Sequence, residues 1–239
     1  VAKDCFNAGC HVLLEKPITE TVAEAEELIC LANEKKLVFQ VGHLERFNPA
    51  VMALKGVLNN PQFIESERLA PFKTRGTDVN VVLDLMIHDI DILLSIVPHP
   101  LKAVNSVGKP VLSDEVDIAN ARLQFANGCV ANVTASRVSR DTTRKIRIFQ
   151  QDAYISIDYQ SRKISIYRKE KGVTLIPGLP DIGVEQRSFD QGDPLKDEID
   201  AFVSAVQNGT APLVSGEDGR RALEVALEIN GKLWHEVTQ

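Results

Sequence analysis

The strongest constraint on this chain is a strand–helix–strand unit near its start. His11-Val12-Leu13-Leu14 is a short apolar run, the pattern of a buried strand, and it stops at Glu15-Lys16-Pro17. Thr21 is followed three residues later by Glu24, a capping box. Val22, Ala25, Leu28, Ile29 and Ala32 then recur at helical spacing. Lys35-Lys36 close the helix where cations suit its C-terminal dipole. Residues 37–41 read as the next strand, stopped by Gly42. Such a unit is parallel and right-handed in nearly all cases. In open parallel sheets a ligand sits beyond the carboxyl ends of the strands. Here those ends are Glu15-Lys16-Pro17 and Gly42-His43.

Upstream, residues 1–8 read as the tail of a helix. Downstream, Asn48 and Pro49 open a helix over residues 49–58, cap and first position respectively. Residues 63–69 alternate as a strand, residues 72–80 are polar, and residues 81–97 form an apolar helix that Pro98-His99-Pro100 ends. From residue 101 the texture changes. Six strand-like segments follow, over 103–107, 117–125, 130–136, 145–149, 153–158 and 163–168, with a hairpin signal at Asn127-Gly128. Their alternation predicts an antiparallel sheet with one covered face and one open face. Residues 171–192 read as an irregular connection, and residues 195–207 and 218–237 as two closing helices.

Composition removes several classes. The formal net charge of -6 argues against a general grip on nucleic acid. No run of 18 apolar residues exists to span a membrane. Cys5, Cys10, Cys30 and Cys129 form no CxxC pair, so neither a zinc site nor a thioredoxin motif is expected. Four reduced thiols in a cytoplasmic protein is the reading.

Three segments carry candidate chemistry. Within Leu83-Asp84-Leu85-Met86-Ile87-His88-Asp89-Ile90-Asp91, Asp84 and His88 are four apart and share a helix face. A carboxylate beside an imidazole raises its pKa and orients it for base catalysis. The same pair also suits a purely structural contact, or a metal if a third ligand converges. An HD phosphohydrolase is all-helical, which the strands contradict. Lys16, at a strand end, can donate a proton or hold a substrate oxygen, although a Glu–Lys pair in a surface loop is also commonplace. His43, Arg46 and Asn48 can orient a polyhydroxyl or anionic ligand, or serve as a solvated cation and a helix cap.

Taken together, in order and spacing, these segments resemble the glucose-fructose oxidoreductase and inositol dehydrogenase family, Gfo/Idh/MocA. Glu15-Lys16-Pro17 resembles its EKP signature, and Asp84 with His88 its D-x-x-x-H helix. Arg46-Phe47-Asn48-Pro49 resembles its crossing into the second domain. Residues 195–202 and 215–220 resemble its closing pattern. The resemblance implies an α/β plus α+β fold: the C-terminal part of a dinucleotide-binding Rossmann domain over residues 1–44, then a substrate and oligomerisation domain over 45–239 with a large open, mostly antiparallel sheet. It implies NAD or NADP as cofactor, with Glu15, Lys16, Pro17 and His43 near it. Lys16 and His88 would handle the proton of a sugar or cyclitol hydroxyl, with Asp84 supporting His88. Arg46, Asn48 and Arg75 would face the substrate, Arg75 as a diphosphate contact. The local sequence looks closest to members acting on UDP-N-acetylated sugars. A homodimer or homotetramer through the open sheet is implied, with no metal. The alternative is a non-catalytic assembly module using that sheet face.

One departure matters. The family opens on a strand, a G-x-G-x-x-G turn and a helix that bring backbone N–H groups to the pyrophosphate. That motif is absent from the 239 residues. This chain alone is therefore expected to bind the dinucleotide poorly and to be inactive without such a part. Titrating NADH into it should give no saturable fluorescence change, and clear micromolar binding would refute this.

Overall fold

The computed structural model describes residues 1–73, 79–169, 182–189 and 192–233. The opening unit forms as its pattern requires. Helix α1 (Ala2–Asn7) precedes strand β1 (Val12–Glu15), helix α2 (Val22–Glu34) and strand β2 (Phe39–Gly42). β1 and β2 pair in parallel, with Glu15 opposite Gly42. The capping box closes at the start of α2. The Thr21 amide donates to Glu24 Oε2 at 3.0 Å, and the Glu24 amide donates to Thr21 Oγ1 at 3.3 Å. Such a cap contributes about 1 kcal/mol. Phe6 and Phe39 meet edge to face, with ring centroids 5.1 Å apart.

A 3₁₀ turn (Leu44–Phe47) leads to α3 (Pro49–Met52), where the Asn48 side chain accepts from the Ala50 amide. The helix expected over residues 49–58 stops after this one turn. The cap and Pro49 start it, but the backbone bonds then shorten to three-residue turns (Leu54 to Val51, Lys55 to Met52, Val57 to Leu54), and Gly56 takes a φ of +80°, through which no α-helix continues. Strand β3 (Phe63–Leu69) follows. A π turn (Val82–Met86) then runs into α4 (Ile87–Ile96). The uniform helix expected over residues 81–97 is thus two geometries end to end.

The remaining strands are β4 (Leu101–Lys109), β5 (Ile118–Phe125), β6 (Val130–Ser136), β7 (Thr143–Phe149), β8 (Ala153–Asp158), β9 (Lys163–Lys169) and β10 (Ile182–Ser188). With β3 they form one sheet in the order β10-β9-β8-β7-β3-β6-β5-β4. Every neighbouring pair is antiparallel except β3–β6. β10 lies inside the segment read as irregular. It pairs with β9 along its whole length but leaves Ile182 and Val184 exposed, so burial imposes no alternation for a reader to find.

Helices α5 (Pro194–Asn208) and α6 (Gly216–Leu233) close the described chain. Two cores result. The larger one lies between the covered sheet face (Ile64, Leu123, Val133, Ile146, Ile155) and α4 with α6. The smaller one joins Phe6, Leu28, Phe39, Val41 and Phe47. α6 serves both: Ala226 and Ile229 face the larger core, and Leu223 faces the smaller.

The open face that alternation predicts is a mixture of polar and apolar side chains. Arg147 stands between Glu65 and Glu67 at 3.3 and 3.5 Å, and Asn120 donates to Thr134 at 2.9 Å. Its apolar part includes an aromatic row, Phe63–Phe149–Tyr154–Tyr167, with successive centroids 5.8, 4.9 and 5.2 Å apart, and the exposed Val107, Ile118 and Val184. Most aliphatic side chains of the sheet lie on the covered face, where burial offsets their cost in water.

α6 approaches β2 closely because Gly219 has no side chain. A Cβ there would meet Val41 Cγ2 at 2.7 Å. Gly219→Ala is expected to destabilise the fold by about 1–3 kcal/mol through overpacking. The check is the urea midpoint, which should fall.

Candidate active site

The site is assembled where β1 ends. Lys16 leaves the strand and its Nζ donates to the Asp84 backbone carbonyl at 2.7 Å, with the Asp84 carboxylate 3.9 Å away. That carbonyl lies in the π turn, an irregularity found often at functional sites. The turn is anchored at its start. Asn80 Oδ1 accepts from the amides of Val82 and Leu83 at 3.0 and 3.1 Å, and Asn80 Nδ2 donates to Asn230 of α6 at 2.9 Å. Behind it, Arg137 Nη1 donates to the Val79 carbonyl at 2.6 Å while its Nε donates to the buried Asp117 at 2.7 Å. Burial lowers the Lys16 pKa. Asp84 opposes that shift, and the Arg68 charge adds to it.

His88 sits in the first turn of α4, its Nδ1 buried without a hydrogen-bond partner. The expected support from Asp84 is absent: no hydrogen bond or ion pair joins the two among the described residues. The wider π turn takes them out of the α register that would stack them, and Asp84 turns to Lys16 instead. The imidazole pKa therefore goes the opposite way from the expectation. Burial holds it well below its ordinary value, and the positive charges of Arg68, Lys16, His43 and Arg144 push in the same direction.

His43 follows β2 directly and is 1% exposed. Neither ring nitrogen has a hydrogen-bond partner, and Asp91 Oδ2 stands 4.0 Å from Nδ1. Burial lowers its pKa, and Asp91 resists the shift. Arg46, expected to face the substrate, is engaged by two acids of the chain. Its Nε donates to Asp91 at 2.8 Å and its Nη2 lies 3.5 Å from Asp218. Asn48 is also committed inside the protein, capping α3 and donating to the Tyr159 carbonyl at 3.2 Å. Both expected substrate contacts thus hold internal partners, as buried polar groups do. Glu15 and Pro17 flank Lys16 at the surface. Arg75 lies outside the described residues.

Sequence reasoning passed over Arg68. Its Nε and Nη1 donate to Asp89 and Glu45 at 2.6 and 3.0 Å, and its guanidinium lies 5.7 Å from the Tyr159 ring centroid. One signal was available. Ile64, Ser66 and Arg68 share a parity on β3, so an inward cation was written into the alternation.

This combination defines a class: a parallel pair with Lys and His at its carboxyl ends, facing a histidine on a helix that covers a large sheet. Residues 1–43 match the model described as the oxidoreductase family, NAD-binding Rossmann fold, and residues 54–156 match the GFO/IDH/MocA C-terminal domain. The chain belongs to the GFO/IDH/MocA oxidoreductase family. Among its relatives, the UDP-N-acetylglucosamine 3-dehydrogenase of Acidithiobacillus ferrooxidans is 39% identical over 230 residues, spanning 96% of this chain and 73% of that protein. A solved structure of that dehydrogenase matches with a TM-score of 0.91 at 38% identity, over 100% of this chain and 76% of that one. The myo-inositol 2-dehydrogenase of Thermotoga maritima is 26% identical over 238 residues, 92% of this chain and 69% of that protein.

The residues fit the nicotinamide end of such a cofactor. Both nitrogens of His43 and Nδ1 of His88 are buried ring atoms without partners, as a polar occupant would require.

The His88 imidazole should be neutral through the range where free histidine titrates, near pH 6.5, and His43 is shifted in the same direction. The unfolded chain takes up those protons first, so their contribution to stability is present above about pH 6.5 and declines below it. NMR titration of the ring resonances should find His88 still neutral well below pH 6.5. A midpoint at or above 6.5 would contradict the site as described.

Proposed function

We propose that this protein is an NAD- or NADP-linked dehydrogenase acting on a CH–OH group of a sugar or cyclitol, with a UDP-N-acetylated sugar as the best-supported substrate. The observation that carries this reading is the Lys16 ammonium on the Asp84 carbonyl, in one site with a buried neutral His88. The 39% identity to a UDP-N-acetylglucosamine 3-dehydrogenase supports the substrate class. A pure docking module needs no lysine of lowered pKa facing unpartnered imidazoles.

When bound, the nicotinamide accepts or supplies the hydride at the carbinol carbon. The Glu15-Lys16-Pro17 segment and His43 would hold its nicotinamide end. Lys16 exchanges the hydroxyl proton: as the neutral amine it accepts it during oxidation, and as the ammonium it returns it during reduction. The lowered pKa brings the amine form closer to working pH than an ordinary lysine allows. His88, neutral, hydrogen-bonds the same hydroxyl and fixes its direction. Asp84 steadies Lys16 rather than His88.

Assayed in the full-length protein, Lys16→Met is expected to lower kcat by about 10²–10⁴-fold. It should also remove the limb of the pH profile that rises towards alkali. Full activity in Lys16→Met would overturn the assignment. Self-association through the open sheet belongs to the same proposal, with the aromatic row as its apolar patch. Tyr154→Asp should shift the protein towards monomer in sedimentation velocity, and an unchanged profile would exclude this face.

A further inference from the structure

A second arginine stands beside Arg68. Arg144 on β7 is its direct cross-strand partner on β3. It shares parity with Ile146 and Ile148, so it projects on the covered side of the sheet, towards α4. Two guanidinium groups directly opposite one another repel. Arg68 is compensated, with Asp89 and Glu45 both within hydrogen-bond distance. Arg144 is not. Among the described residues its one acid partner is the same Glu45, at 3.8 Å, already engaged by Arg68 at 3.0 Å, and its side chain is 46% exposed. Its side chain makes no hydrogen bond among the described residues, yet its charge reaches His88. A planar fork of donors thus stands beside Arg68 on the covered side of the sheet, without a hydrogen-bond partner among the described residues.

We propose that Arg144 binds an oxyanion of the substrate, a phosphate or a carboxylate set off from the reacting hydroxyl. The proposal rests on the dehydrogenase reading above and narrows it to anionic sugars. A bidentate guanidinium contact suits either group and discriminates against neutral polyols.

Isothermal titration of the full-length protein tests it without turnover. The ligands are UDP-N-acetylglucosamine for phosphate, glucuronate for carboxylate, and N-acetylglucosamine and myo-inositol as neutral controls. At least one anionic ligand should bind about tenfold or more tighter than N-acetylglucosamine. Arg144→Gln should remove that advantage and leave neutral-ligand affinity unchanged, while Arg144→Lys keeps part of it. Which anion loses affinity identifies the group. The half-exposed side chain makes both variants foldable, and an unchanged melting temperature verifies this. Equal binding of anionic and neutral ligands by the parent overturns the proposal, as does undiminished anion binding by Arg144→Gln. Arg144-dependent anion binding without any nicotinamide reduction would leave Arg144 assigned and remove the dehydrogenase reading. Efficient turnover of a neutral cyclitol, with no Arg144 effect, would do the reverse.

Discussion

The buried guanidinium of Arg68 is the constraint around which the site is arranged. With 3% of its side chain exposed, it cannot draw on water for compensation and must carry its acids with it. Burial opposes its charge, and Asp89 and then Glu45 more than offset that, so its pKa lies above the ordinary arginine value. Those two acids come from α4 and the 3₁₀ turn, while Ser66 of the same strand donates to Asp89 at 2.8 Å. One side chain thereby registers helix, turn and sheet against one another. Breaking such a pair on one side costs about 3–5 kcal/mol, because the other charge stays buried. The same cation also helps to keep His88 neutral, so the fold's anchor and the chemistry of the site share a charge.

The second organising contact runs between the two cores. Lys16 belongs to the small parallel pair, and the carbonyl it grips belongs to the helix over the large sheet. α6 buries side chains in both cores, with Gly219 allowing its close approach to Val41. The site is therefore placed by two independent links, one polar and one apolar. Neither link involves a group proposed to touch substrate except Lys16. Rigid support from outside the reacting set is what holding a hydroxyl at reaction distance requires.

Much of this was legible in the residues. The Thr21–Glu24 capping box, the apolar run before Glu15-Lys16-Pro17 and the alternation of β5 and β6 are local signals, and each formed the element it announced. β10 carried no such signal because both its faces are largely exposed, and α3 ended early at a backbone conformation that side-chain spacing does not report. Within the site, Lys16, His43 and His88 were legible from their places at strand ends and on a helix face. The partnership of Asp84 was not, because a π turn breaks the four-residue spacing on which it was read. Arg46 and Asn48 were legible as polar residues near the site. That internal acids and carbonyls would claim them was not.

By itself, then, the sequence determined most of the elements, their order, the two kinds of sheet and the family, because those depend on short-range periodicity and on motifs a few residues long. Only the tertiary structure decided which charges pair. It gave Asp84 to Lys16, Asp89 to Arg68 and Asp91 to Arg46, and it left Arg144 to share Glu45 with Arg68 at 3.8 Å. The physical reason is range. A salt bridge is settled by which groups packing brings within a few ångströms, and the partners here lie 21 to 68 residues apart in the chain.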